Sequence, residues 1–302
     1  MRNFYLTSLM VLIMPMLSMA QVTEYLDSIR ANGKTYTTPD YLWKTTDVAT
    51  LAKQLTRYTK DTNALVVEEA YDIMYHAGIS SANLSERQMA MEFVAKGLDG
   101  DMNVTSRNIS HLEGFLPADI NDVTQKILEA RLDDWESAYY SRVAKLSARM
   151  GIGRLQIRNR QFLDKKADVE LKWDMHLALA RLGEQTDIDF IVRKASAIPY
   201  DYSEDLLTMI VPQLIYTRQK PAIDVCVEML QTDKCKCASV NPTVDVKILC
   251  GYRIMEMLAP VIQDYPYKVS KAGMIEADDY EEALTTIREW FRAHPDYTII
   301  AN

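Results

Sequence analysis

Apolar residues recur at three- and four-residue spacing along most of this chain, the period of helices that bury one face. Val48, Leu51, Leu55 and Tyr58 share one face of a helix expected over residues 47–58. The same spacing predicts helices over 65–76, 86–98, 104–115, 120–132 and 135–150. Six more are expected over 166–182, 187–197, 203–216, 221–230, 244–258 and 278–294. Gly78, Gly100, Gly151 and Gly183 read as stops at helix C-termini, and Pro221 suits a first helical turn. Ser85 with Gln88 resembles a capping box opening the helix at 86. Strand alternation is absent apart from short runs such as 298–300.

The expected helices come in pairs with short turns, so an internal repeat is worth testing. A shift of 35 residues places Met175 on Ile210, Leu179 on Leu214, Ile188 on Ile223 and Asp189 on Asp224. Apolar positions mostly meet apolar positions, and the turn falls at the same place. The fold expected is all-α, an α-solenoid of stacked helical hairpins. It divides into a leader over 1–20, N-terminal hairpins over 21–150, a basic joint over 151–165 and C-terminal repeats over 166–302.

One stretch carries a family resemblance. Leu177-Ala-Leu-Ala-Arg-Leu-Gly183, followed by Asp187-Ile-Asp-Phe-Ile191, resembles a HEAT-type repeat. The first helix ends in an Ala/Leu-rich run and Leu-Gly, and the second begins with an acidic residue and buried aliphatic positions. The last helix, with Tyr280-Glu-Glu-Ala-Leu and Trp290-Phe291 before Pro295, is similar to a tetratricopeptide helix. Either resemblance implies a binding scaffold and no catalytic residue.

The segment Met1–Ala20 changes the setting. One basic residue, Arg2, precedes an apolar run over 9–17 and then Ser18-Met-Ala20. That is the layout of a secretory signal peptide cleaved near Ala20–Gln21, and the run is too short and broken for a spanning helix. The mature chain is therefore expected to be secreted or periplasmic, with no stable membrane insertion. Charge bears on partners. There are 34 Lys+Arg against 42 Asp+Glu, a formal −8, which disfavours nucleic acid.

An oxidising compartment would direct the four cysteines, Cys226, Cys235, Cys237 and Cys250, toward disulfides tying a loop to its flanking helices. Reduced buried thiols and a four-cysteine metal site remain as alternatives. The C-x8-C-x-C-x12-C spacing lacks the C-x2-C knuckles of zinc sites. His76, His111, His176 and His294 form no H-E-x-x-H or H-x-H pair, and the lone Gly151-Ile-Gly153 follows a helix rather than a strand. No metal, cofactor or catalytic residue is expected from these patterns.

Two features suggest a binding surface. Arg149, Arg154, Arg158, Arg160, Lys165 and Lys166 form a basic run suited to an acidic partner or glycan. Tyr139 and Tyr140 beside it combine apolar rings with polar tips, as at interfaces. Asn83, Asn103 and Asn108 carry N-x-[ST] sequons. The function expected is a non-catalytic scaffold holding a protein, peptide or glycan on its concave face. The alternatives are an envelope enzyme or accessory subunit with a polar site in the helical groove, and a self-assembling structural protein.

Overall fold

A computed structural model describes residues 20–33, 37–44, 46–134, 136–153, 169–198, 204–238, 247–270 and 273–301. The chain divides into two compact units, Met1–Gly153 and Arg154–Asn302.

In unit 1, α1 spans 20–32 and is followed by α2 (Tyr41–Lys44) and α3 (Val48–Leu55). Then come α4 (Ala64–Ser80), α5 (Leu84–Ala95), α6 (Met102–Leu112), α7 (Asp122–Arg131) and α8 (Tyr140–Arg149). Short polar side chains open them. Asn63, Asn83, Asp101 and Asn121 each accept a hydrogen bond from a first-turn amide of α4, α5, α6 and α7. Asn63 and Asp101 lie 38 residues apart, and so do Asn83 and Asn121.

Packing follows the same period. Helix α4 packs on α6 and α6 on α8, while α3 packs on α5 and α5 on α7. Met74, Leu112 and Met150, again 38 residues apart, are all buried, as are Ala70, Asn108 and Leu146. Each large apolar side chain so buried contributes roughly 1.5–3 kcal/mol relative to exposure.

Two expectations fail locally. Helix α4 does not stop at Gly78 but runs on to Ser80. Gly78 marks a close approach: a Cβ there would sit 2.4 Å from that of Ala90 on α5. Asn83, not Ser85, caps α5, because its side-chain Oδ1 accepts from the Ser85 amide.

Unit 2 contains α9 (Val169–Arg181), α10 (Gln185–Ser196), α11 (Glu204–Thr217) and α12 (Lys220–Leu230). Strands β1 (Lys236–Ala238) and β2 (Lys247–Leu249) follow, then α13 (Gly251–Leu258) and α14 (Tyr280–Ala293). Helices α9 and α11 begin 35 residues apart, as do α10 and α12. Helix α9 packs on α11 and α11 on α13, while α10 packs on α12. Gly151 and Gly183 adopt positive φ (74° and 83°) and end α8 and α9 as expected. The amide three residues past the end of α9, that of Glu184, returns to the Leu179 carbonyl at 3.1 Å.

The chain is thus mostly helical, with a small antiparallel hairpin. That hairpin corrects the expected helix over 244–258: Lys247–Leu249 pairs with Lys236–Ala238, and helix begins only at Gly251. The ambiguous run at 298–300 contributes an isolated bridge between Ile299 and Ile262.

Candidate functional site

The cysteines converge at this hairpin. Alternation along β1 puts Cys235 and Cys237 on one face with Lys236 outward. The register places Cys235 opposite Cys250, whose amide donates to the Cys235 carbonyl at 3.2 Å. Cys235, Cys237 and Cys250 are all buried, with Leu207 and Ile248 packed against them. The Cα–Cα separations are 5.5 Å for Cys235–Cys250 and 5.0 Å for Cys237–Cys250, both within disulfide reach. The Cys250 Sγ lies against the sulfurs of both Cys235 and Cys237, and a disulfide can join it to one of them.

Glu204 fastens the strand. Its carboxylate accepts from the Ala238 amide at 2.6 Å and pairs with Arg253 at 2.9 Å, while Arg253 donates to the Ala238 carbonyl. As a ligand set, the three sulfurs lie within 4.8 Å of one another and are of the soft type that suits a thiophilic ion. Cys226 stands apart, correcting its expected place in a disulfide. It is a free, buried thiol on α12, directed at the Ala222 carbonyl at 3.7 Å, and burial holds its pKa far above the ordinary thiol value.

Among the residues expected to face a partner, Tyr139 donates to the Met102 carbonyl at 2.7 Å and Tyr140 is buried. Arg149 donates to the carbonyls of Glu113 (2.5 Å) and Phe115. Tyr139 and Arg149 thereby tie the α8 segment to the α6 segment. Arg154, Arg158, Arg160, Lys165 and Lys166 lie outside the described residues, as do 1–19 of the expected leader. Of the sequons, Asn83 is a cap, Asn103 is exposed and Asn108 is fully buried. His176 meets Asp187 at 2.7 Å and stacks on Phe190, a boundary role.

A polar cluster in unit 1 escapes the motif-based reading. Asp72 on α4 accepts from Arg107 Nε at 2.7 Å and meets His111 Nε2 at 2.6 Å, both on α6. Arg107 also reaches Glu68 at 3.0 Å. Burial alone would raise the Asp72 pKa, but the bonds from His111 and Arg107 outweigh it and the net shift is downward. Neighbouring Glu69 goes the other way: burial raises it despite bonds from Thr38 and Tyr25. His76, stacked on Trp43, is lowered by burial. The visible hint was the i,i+4 spacing of Glu68 with Asp72 and of Arg107 with His111. Asp72, Arg107 and His111 bond mainly to one another, so the cluster cross-braces α4 and α6.

A cleft of about 460 Å³ opens past the C-terminus of α14, lined by Gln263, Asp264, Trp290, His294, Asp296 and Tyr297 among others. His294 stacks on Trp290 with ring centroids 4.6 Å apart, and its Nδ1 lies 2.8 Å from the Trp290 carbonyl. Asp264 adopts a left-handed φ of 56°, unusual for a residue with a side chain. Two carboxylates beside the negative end of a helix dipole disfavour an anion and favour a neutral hydroxyl-rich or a cationic ligand.

No protein-family model, curated protein or solved structure matches the chain.

Proposed function

We propose that the chain is an exported, non-catalytic helical-repeat scaffold that holds a protein, peptide or glycan on the exposed face of its helix layers. The observation that carries this reading is the layered packing of helices that recur every 38 residues from α4 to α8 in unit 1, with one 35-residue step, α9–α10 to α11–α12, in unit 2. Equivalent helices stack on equivalent helices, as in HEAT-like arrays, where each hairpin buries its apolar side against its neighbours and leaves an extended surface for binding. The step from that architecture to binding is an analogy of fold. The cleft beside Trp290 and Asp296 supports a ligand of peptide or glycan type in unit 2. The Asp72 cluster supports a brace rather than a catalytic centre, since its members bond to one another.

Export is tested by sequencing the N-terminus of the protein recovered outside the cytoplasm, where Gln21 or a near neighbour is expected. Binding is tested with residues 21–302 on peptide and glycan arrays, with Asp264→Asn and Asp296→Asn as companions. Retention of one ligand class, weakened in those variants, is expected. An intact leader, or no retention alongside turnover in a hydrolase substrate panel, would overturn the scaffold reading.

A further inference from the structure

We propose that Asn32–Gly33 is a spontaneous modification site, at which the Asn32 amide is lost through a cyclic imide and the cap that ends α1 becomes isoaspartate or aspartate. Asn32 is the one asparagine in the sequence that glycine follows. Asn63, Asn83 and Asn121 precede Ala64, Leu84 and Asp122 and hold helix starts through their side-chain oxygens. Asn108 precedes Ile109 and is fully buried. Asn32 and Gly33 are both exposed, and a Cβ built on Gly33 would meet no atom within 4 Å. Glycine has no Cβ to stand over its own backbone nitrogen, which leaves that nitrogen open to approach. Solvent therefore reaches both groups that react.

The Gly33 nitrogen, once deprotonated, attacks Asn32 Cγ. An N–Cγ bond forms, the Cγ–Nδ2 bond breaks, and Nδ2 leaves as ammonia with the proton that Gly33 gave up. The product is a cyclic imide. Water then opens it at either carbonyl. Opening at Cγ leaves aspartate, and opening at the Asn32 main-chain carbonyl leaves isoaspartate, with the backbone running through Cγ. Water is the only co-reactant, and nothing is oxidised or reduced. The fold sets when the attack can occur. Gly33 takes φ +62°, and its N–H donates to the Ile29 carbonyl at 2.8 Å, the left-handed cap that closes α1. While that bond stands, the nitrogen keeps its proton and points back along the helix. The reaction therefore proceeds from chains whose last turn of α1 has frayed, a local opening of lower free energy than unfolding. The change does not reverse. The imide nitrogen has no hydrogen for Ile29, and isoaspartate adds a backbone carbon that breaks the register of the cap. Either product sets a carboxylate at the negative end of the helix dipole. Ile29 is buried, and Arg30 beside it pairs with Asp27 and Asp61, so the loss falls where the end of α1 is fastened.

The test incubates the purified protein in warm, mildly alkaline buffer, native and in urea. Samples are digested with pepsin in acid, and tandem mass spectrometry locates the conversion. Isoaspartyl methyltransferase with labelled S-adenosylmethionine counts isoaspartate, and hydrogen exchange reads the helix end. In the native chain Asn32 should convert before any other asparagine, and several-fold more slowly than in urea. The converted protein should exchange faster over 30–33 and no faster over 64–80. Asn32→Gln should gain no methyl-accepting group there and keep the slow exchange of the fresh protein. An Asn32 that stays intact in the native chain, another asparagine reacting first, equal rates in native and unfolded protein, or unchanged exchange over 30–33 after conversion would each overturn the proposal.

Discussion

Replacing Asp72 with Asn keeps the side-chain shape and removes one charge from the middle of the α4–α6 brace. Asp72 is only 5 % exposed and accepts from Arg107 and His111 at 2.7 and 2.6 Å. Breaking a buried pair by neutralising one partner costs about 3–5 kcal/mol when the other charge is stranded. Here Arg107 retains Glu68 at 3.0 Å and its side chain is 38 % exposed, so solvent screens much of the loss. The expected cost is about 2 kcal/mol. Its pH dependence follows from the lowered pKa of Asp72. The contribution is complete above the unfolded carboxylate value of about 3.9 and is lost as pH falls through the folded one. The deficit of Asp72→Asn should therefore be full at pH 7 and shrink in acid. Hydrogen exchange read by mass spectrometry over 64–80 and 102–112 measures it without confusing the two units. A double-mutant cycle with Arg107→Met should return a coupling of about 1–2 kcal/mol. A neutral-pH deficit below about 0.5 kcal/mol, or one unchanged in acid, would show that the cluster braces nothing.

Further outcomes follow from the same structure. Gly78→Ala would press a methyl to 2.4 Å from the Ala90 Cβ and 3.0 Å from the Phe115 ring, so thermal or urea unfolding should show a loss of about 1–3 kcal/mol. Gly183→Ala meets open space at φ +83° and should lose about 1–2 kcal/mol from backbone strain alone; a Gly78→Ala protein as stable as the parent would refute the close-approach account. Asp101→Ala and Asn121→Ala should each cost about 1 kcal/mol by removing a cap, with earlier fraying of α6 and α7 visible by hydrogen exchange. Tyr280, whose hydroxyl donates to Glu256 at 2.7 Å, is pushed up to about 12 by burial and by that carboxylate, so absorbance at alkaline pH should show a phenol titrating late. The stability tied to it is present below the ordinary tyrosine value of about 10 and is lost as pH rises through about 12; unfolding in Tyr280→Phe should lack that increment.

Features decided within a few residues were legible in the sequence. The helical period, the left-handed glycines at 151 and 183 and the pairing of helices all express local preference. Gly78 was misread because a glycine that ends a helix and one that admits a neighbouring helix look alike until Ala90 is in place. Asn83 and Ser85 are both good caps two residues apart, and only the backbone decides between them. The strand at 247–249 lay inside a helix-like apolar pattern because its partner, 236–238, acts from outside the segment. Asp72 and Arg107 carry no motif of their own, and the stacking of α4 on α6 brings them together across 35 residues. For the cysteines, proximity in sequence pointed to the right region, and the strand register then separated Cys226 from the other three.

The side-chain bonds that join neighbouring helices of unit 1 span similar lengths of chain: 32 residues for Arg87–Asp119, 35 for Arg107–Asp72 and 36 for Arg149–Glu113. Each therefore closes a loop of nearly the same entropy, and none has to wait for a distant terminus. Such a unit can nucleate in one hairpin and grow as neighbouring turns dock on those already formed. Were the chain exported unfolded and N-terminus first, as proposed, the order of arrival would be the order of assembly. In that case the unassembled length would be about one hairpin, which limits the apolar surface open to aggregation before the last helices follow.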